Sequence, residues 1–436
     1  MLQDELVKLN NSDEYPMHMP GHKRRGTGTA LDAAYSMDIT EIEGYDNLYD
    51  AHGILRSAMD YAAHVYDCPY TYYLVNGATA GIHISICAVA DMYRDDGAWQ
   101  RNRILMAANC HRSVTAAAKI ACIGIDHIEP EMIKITTDSE QSARIWGGIS
   151  AEELENRLRT AEEEKQRYIA VVITSPTYEG VISDVSVLAD ICHDHDTILI
   201  VDEAHGAHLD LSDRYPDGAL KAGADIVIHS THKTLAAMTQ TAILHAQGNL
   251  VDITRIEEFW YALQTSSPSY VLMASIDNAL HHIKENGAMV AEHLAMTDIL
   301  RKRLTGVKGQ EGLKRLRLLV LEDVCGYKTV KGYDPCKAVV FTSGSGIDGY
   351  TLQRILLDDY HIQMELASDD HILGISTYMD TRDGLERFAD ALLEIDDRLD
   401  SGYYNMVSES ERGRSLQSYK GMRSDKKEAY APCIPQ

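Results

Sequence analysis

The feature that most constrains the fold is a series of short apolar runs, rich in β-branched residues, that alternate with helical periods. The runs are Arg103–Ala107, Tyr168–Thr174, Thr197–Asp202, Ala224–His229 and Thr241–His245. Helical patterns fall between several of them, as at Ser113–Ile123 and Val185–His195. Strands that are apolar throughout, separated by helices, predict an α/β fold with a mainly parallel central sheet covered on both faces. In such sheets the ligand crevice lies at the carboxyl ends of the strands. The polar residues that close these runs therefore become the first candidates for chemistry.

The rest of the chain organises around that region. Residues 1–50 carry Met19-Pro20-Gly21-His22-Lys23, Gly26 and Gly28, and read as an irregular N-terminal arm rather than a core element. Residues 51–274 form the expected large domain. Residues 275–400 read as a smaller α+β domain, with a long helical pattern through Thr305, strand candidates Leu316–Leu321, Lys337–Thr342 and His371–Ser376, and helices Gly349–Asp358 and Gly384–Arg398. Residues 401–436 form a polar, charge-mixed tail.

Composition narrows the function classes. A net charge of −25 argues against nucleic-acid binding, which needs a basic footprint, and against docking on an anionic membrane. No apolar stretch approaches the roughly 20 residues of a membrane helix. The segment Met1–Leu6 lacks the basic and apolar parts of a leader. Eight scattered cysteines without a Cys-x-x-Cys pair suggest neither a zinc site nor a disulfide framework, so a reduced, cytoplasmic protein is expected.

Four strand-end motifs carry candidate chemistry. Ile198-Leu199-Ile200-Val201 runs into Asp202, with His205 three residues on. A carboxylate there is costly unless paired, although an Asp capping the following turn explains it equally well. Ala224–His229 runs into Ser230-Thr231-His232-Lys233. A lysine so placed either is an ordinary solvated residue or has the environment to form a Schiff base with a carbonyl. Its pairing with Asp202 favours the second reading. A Schiff-base lysine and an acidic partner for a pyridinium nitrogen are the protein groups that pyridoxal phosphate chemistry most needs. Asn76-Gly77-Ala78-Thr79-Ala80-Gly81 opens a helix with small residues, where backbone amides can approach a phosphate. His111, just after Arg103–Ala107, either stacks on a flat ring or serves as a structural residue near a helix start.

Taken in order, these residues resemble the Orn/Lys/Arg decarboxylase family of fold-type-I pyridoxal-phosphate enzymes, whose fold is that of the aspartate-aminotransferase-like transferases. The resemblance runs from Met19–Lys23 through Asp38–Glu41, Asp46–Leu48, Asn76–Gly81, Asn109–Ser113 and Ser175–Gly180. It continues in Asp202–His208, Ser230–Lys233, Ser267–Tyr270 and Ile362–Leu366. It implies that Lys233 holds the cofactor, Asp202 pairs with the pyridine nitrogen, His111 stacks on the ring and His205 lies near the phenolic oxygen. The backbone at Ala78 and Thr79, with Ser230 and His232, would hold the phosphate. It also implies a homodimer with active sites at the interface, which the arm and the turn containing Ser269 would reach. Glu365 is the candidate contact for the substrate's distal cation, alongside its reading as a surface glutamate beside a strand.

The chain also departs from the family pattern. Alanines stand at 78 and 80 where the family usually has hydroxyl residues, and the N-terminal wing domain of the long forms is not expected here. The stretch Met422–Tyr430 resembles the start of the family's C-terminal extension, and a shortened form of it is expected here. The leading expectation is pyridoxal-phosphate-dependent decarboxylation of arginine, lysine or ornithine. Two alternatives stand beside it: another reaction of the same cofactor (transamination, aldol cleavage or oxidation), and a non-catalytic partner subunit.

Overall fold

The computed structural model describes residues 1–94, 101–135, 142–306 and 311–402. The chain divides into two compact units. The first comprises Met1–Glu129, Ile149–Pro176 and Ser183–Val290, and the second Pro130–Gly148, Thr177–Ile182 and the chain from Ala291 onward.

The first unit is built on a seven-stranded sheet. Its spatial order is Tyr70–Leu74, Ala242–Ala246, Ile226–His229, Ile198–Asp202, Ala170–Thr174, Arg103–Ala107 and Gly124–Ile128. Ala242–Ala246 runs antiparallel to both of its neighbours, and the other neighbouring pairs are parallel. Six strands therefore deliver their carboxyl ends to the same edge. All five residues of Ile198–Asp202 and all four of Ile226–His229 are buried, as expected of strands covered on both faces.

Two glycine and leucine patterns fix how helices sit on this sheet. The helix Gly77–Met92 lies close against it because Gly81 has no side chain. A Cβ there would stand 2.8 Å from Ile228 Cγ2 and 2.9 Å from Leu74 Cδ1. The N-terminal segment, read as wholly irregular, starts instead with the helix Leu2–Asn10. Leu2, Leu6 and Leu9 repeat at helical spacing and are buried, and the helix packs on Tyr270–Glu285. The backbone N–H of Leu2 also donates to the buried carboxylate of Asp277 (2.7 Å). The helix Tyr270–Glu285 spans residue 275 and stays within the first unit, burying Tyr270, Met273, Ile276 and Leu280.

The second unit holds a four-stranded antiparallel sheet in the order Arg317–Leu318, Lys337–Phe341, His371–Ile375, Leu366–Ala367. Alternation along its strands makes two cores. Val340 and Ile372 pack with Leu352, Leu356, Leu392 and Ile395 from the helices Gly349–Tyr360 and Arg382–Asp400. Val339, Phe341 and Leu373 face the other way, toward Ile133, Ile135 and Ile145. Those isoleucines come from the hairpin Met132–Ile135/Ala143–Trp146, which sequence reading did not single out despite its alternating pattern.

Candidate active site

The candidate site lies at the carboxyl edge of the seven-stranded sheet. Asp202 is the last residue of its strand and is 5 % exposed. The Ala204 N–H donates to its Oδ1 (3.2 Å), and the charged groups acting on its carboxylate are Lys233 and His111. Burial pushes the Asp202 carboxyl above the usual carboxylate range, while Lys233 first and His111 second oppose the shift. The next strand, Ile226–His229, passes through Ser230 into the single turn Thr231–Thr234, which presents Lys233. Lys233 Nζ lies 3.0 Å from His205 Nε2, so the two strand-end turns meet at these side chains.

His111 is the N-cap of the helix Arg112–Ala121. Its Nδ1 accepts the Ser113 N–H (3.2 Å) and lies 2.8 Å from Ser113 Oγ, an arrangement that fixes the ring plane. Burial lowers the pKa of this imidazole, with Asp202 opposing and Lys233 reinforcing the shift. The structural reading of His111 as a residue at a helix start is therefore present, and it is compatible with the ring facing the site.

Ala78 and Thr79 occupy the first turn of Gly77–Met92. The N-cap Asn76 makes no side-chain cap hydrogen bond, and Gly77 adopts a left-handed φ of +73°. The first amides of this helix are thus not satisfied by a capping side chain, the condition under which a helix start binds an anion. A short network joins this start to the lysine turn. Gln240 Nε2 donates to the Val75 carbonyl (2.6 Å), Thr231 Oγ1 donates to Thr241 Oγ1 (2.6 Å), and His232 Nδ1 lies 2.9 Å from the Thr241 carbonyl. Ser230 is buried beside them.

Ser269 and Glu365 are two further candidates. Ser269 is the N-cap of Tyr270–Glu285, and its Oγ accepts the Leu272 N–H (3.4 Å). Glu365 belongs to the second unit, where its Oε1 accepts a hydrogen bond from Tyr178 Oη (2.7 Å). Tyr178 comes from the Ser175–Gly180 motif.

Sequence reasoning missed Thr174. It stands directly beside Asp202 in the parallel register, with its hydroxyl buried and close to the Cys110 thiol. Only the strand register reveals that position. It also left Asp46 without a role. The Asp46 carboxylate accepts the N–H groups of His52 (2.9 Å), Gly53 (2.7 Å) and Leu55 (3.1 Å), and so organises the start of the helix Ile54–Tyr66.

These residues fit pyridoxal phosphate on their own chemistry. They offer an amine at Lys233, a buried carboxylate at Asp202, an imidazole at His111, a buried hydroxyl at Thr174 and a helix start without a side-chain cap. The sheet order with its one antiparallel strand, together with that set, defines the class: a fold-type-I pyridoxal-phosphate enzyme. The solved structure of lysine decarboxylase A from Pseudomonas aeruginosa has the same fold, with a TM-score of 0.73 at 19% identity over 92% of this chain and 60% of that one.

The sequence carries the assignment further. The Orn/Lys/Arg decarboxylase major domain matches residues 2–383. The arginine decarboxylase of Bacillus subtilis (strain 168) is 30% identical over 400 residues, covering 89% of this chain and 76% of the relative. The constitutive lysine decarboxylase of Escherichia coli (strain K12) is 27% identical over 270 residues, covering 59% of this chain and 35% of the relative. The chain belongs to the Orn/Lys/Arg decarboxylase family, whose members are pyridoxal-phosphate-dependent carboxy-lyases of basic amino acids.

Proposed function

We propose that this chain decarboxylates a basic amino acid, with arginine the preferred substrate, on pyridoxal phosphate held by Lys233. The observation that carries the reading is the contact of Lys233 Nζ with His205 Nε2 at 3.0 Å, beside the buried Asp202. Bound there, the cofactor supplies the electron sink that takes up the pair left on Cα when carbon dioxide departs.

The chain's own residues do the rest. His205 Nε2 accepts and returns the proton of the Lys233 amine. Asp202 is an acceptor when ionised, and it keeps a proton on the pyridine nitrogen. His111, locked by Ser113, offers a fixed ring face. The amides at Ala78 and Thr79, with Ser230 and His232, hold the phosphate, which agrees with the uncapped helix start. The hydroxyls that the family usually places at 78 and 80 are absent, so backbone amides carry more of that contact here. Glu365, oriented by Tyr178, is the proposed anchor for the distal cation of the substrate.

Arginine is favoured because the relative named for it aligns along most of this chain, whereas the one named for lysine aligns over a shorter stretch. A homodimer completes the proposal. Tyr15 and Met17 on the N-terminal segment are 75 % and 84 % exposed, an apolar surface that suits cover by a second copy, and Ser269 then lies on a turn at that interface. The test is carbon dioxide release from arginine, lysine and ornithine with added cofactor, with the amine product identified. Arginine should give the highest kcat/KM. Transfer of the amino group without carbon dioxide release would overturn the assignment.

A further inference from the structure

The site's two turns are joined beneath the surface by groups that the proposed mechanism does not use. Glu203, His229, His245 and Thr71 are all buried, both histidines completely. Glu203 directly follows the strand Ile198–Asp202, and His229, His245 and Thr71 lie in the three strands next to it in order, Ile226–His229, Ala242–Ala246 and Tyr70–Leu74. His229 Nε2 lies 2.8 Å from Glu203 Oε2, His245 Nε2 lies 3.2 Å from His229 Nδ1, and Thr71 Oγ1 lies 2.9 Å from His245 Nδ1. The Ala219 N–H donates to both Glu203 oxygens (3.0 and 3.2 Å). Tyr66 packs its ring against both imidazoles.

We infer that Glu203 is a positioning residue that, through this hydrogen-bond chain, ties the turn bearing His205 to the turn bearing Lys233. The inference rests on the reading of Lys233 as the cofactor lysine. The proton positions follow from the chemistry of each group. An ionised carboxylate only accepts, so His229 carries its proton on Nε2 and accepts at Nδ1. His245 must then donate from Nε2 and accept the Thr71 hydroxyl proton at Nδ1. Burial supports neutral rings, holding His229 down to about 3 and His245 well below its ordinary value.

The chain acts on the site through short covalent links. Glu203 directly follows Asp202, and His229 directly precedes Ser230. The turn wraps the Glu203 side chain: a Cβ on Gly206 would stand 2.5 Å from Glu203 Cγ, and the Gly206 N–H donates to the Glu203 carbonyl (2.8 Å). His205 is therefore held between Glu203 and Gly206, while the 2.8 Å bond to His229 holds the other turn against it. A glutamine at 229 preserves the pattern, because its amide can donate to Glu203 and accept from His245. A leucine cannot, and it leaves the buried carboxylate with one partner fewer.

Two measurements on the full-length cofactor-free protein test this. Nitrogen-15 spectra of histidine-labelled protein should show His229 and His245 neutral with the proton on Nε2 throughout the neutral pH range. The second is the rate at which pyridoxal phosphate labels Lys233, trapped by borohydride and mapped by peptide mass. His229→Gln should label within about twofold of the native rate, and His229→Leu about tenfold slower or worse. A proton on Nδ1 of His229, or native labelling by a correctly folded His229→Leu, overturns the inference. If His229→Leu does not fold, the ring spectra of the native protein decide. Failure of the native protein to label at Lys233 instead removes the proposed function, and the inference with it.

Discussion

Replacing Gly81 asks whether close packing of one helix sets up the phosphate contact. Gly81 sits one turn into Gly77–Met92, where a Cβ would stand 2.8 Å from Ile228 Cγ2, 2.9 Å from Leu74 Cδ1 and 3.3 Å from Ile228 Cγ1. Both neighbours are fully buried, so neither side chain can swing into solvent. Overpacking of this kind costs about 1–3 kcal/mol, and removing a glycine from a helix returns up to about 1 kcal/mol. Gly81→Ala should therefore lose about 1 kcal/mol, and the larger, stiffer Gly81→Val about 3 kcal/mol.

The helix start must shift to relieve the clash, and losing one amide–phosphate hydrogen bond weakens cofactor binding about tenfold. Gly287→Ala is the control, because a Cβ there meets nothing within 4 Å, and it should be neutral or slightly stabilising. Urea unfolding of the cofactor-free protein followed by circular dichroism gives the first quantity, and titration with pyridoxal phosphate gives the second. Gly81→Val with native stability and native affinity would refute the reasoning.

Two more predictions concern charge. The pKa of buried His229 is held down to about 3, so its neutral form stabilises the fold above the ordinary histidine value, and that stability is lost as pH falls below about 6.5. Between pH 7 and pH 5 this costs about 2 kcal/mol for one such group, so His229→Gln should lose about 2 kcal/mol less than the native protein over that interval in urea midpoints measured at each pH. Asp202→Asn keeps the side-chain shape and should fold, as judged by circular dichroism, while carbon dioxide release falls by a hundredfold or more, on the order of 3 kcal/mol in the barrier.

What the sequence made legible was the chemistry that is local along the chain. Asp202 and Lys233 each close an apolar run, and that pattern alone puts both at the carboxyl edge of a parallel sheet. The family resemblance supplied roles for His111 and His205 that local pattern left open. What stayed hidden depends on strand order and register. Nothing in the linear sequence says that His229 and His245 are cross-strand neighbours of Glu203 and Thr71, or that Thr174 stands beside Asp202. That information exists only once Ala242–Ala246 inserts antiparallel between Tyr70–Leu74 and Ile226–His229.

Two local features also had a readable signal. Leu2, Leu6 and Leu9 keep helical spacing within a stretch otherwise dominated by glycine and proline, and the turn residues masked it. Ser269 precedes Tyr270-Val271-Leu272-Met273, the pattern of a helix N-cap, and the structure gives it that bond. From residue 403 onward, the polar tail expected over 401–436 lies outside the described residues.

The central claim is that Lys233 carries pyridoxal phosphate. Its most direct test is the visible absorbance of the purified protein with added cofactor, compared with Lys233→Ala. A yellow band in the native protein that is absent from the variant, with carbon dioxide released from arginine only by the former, is the predicted result. No band, or a band that survives the substitution, would contradict the claim and leave a chain that keeps the fold of its family without its chemistry.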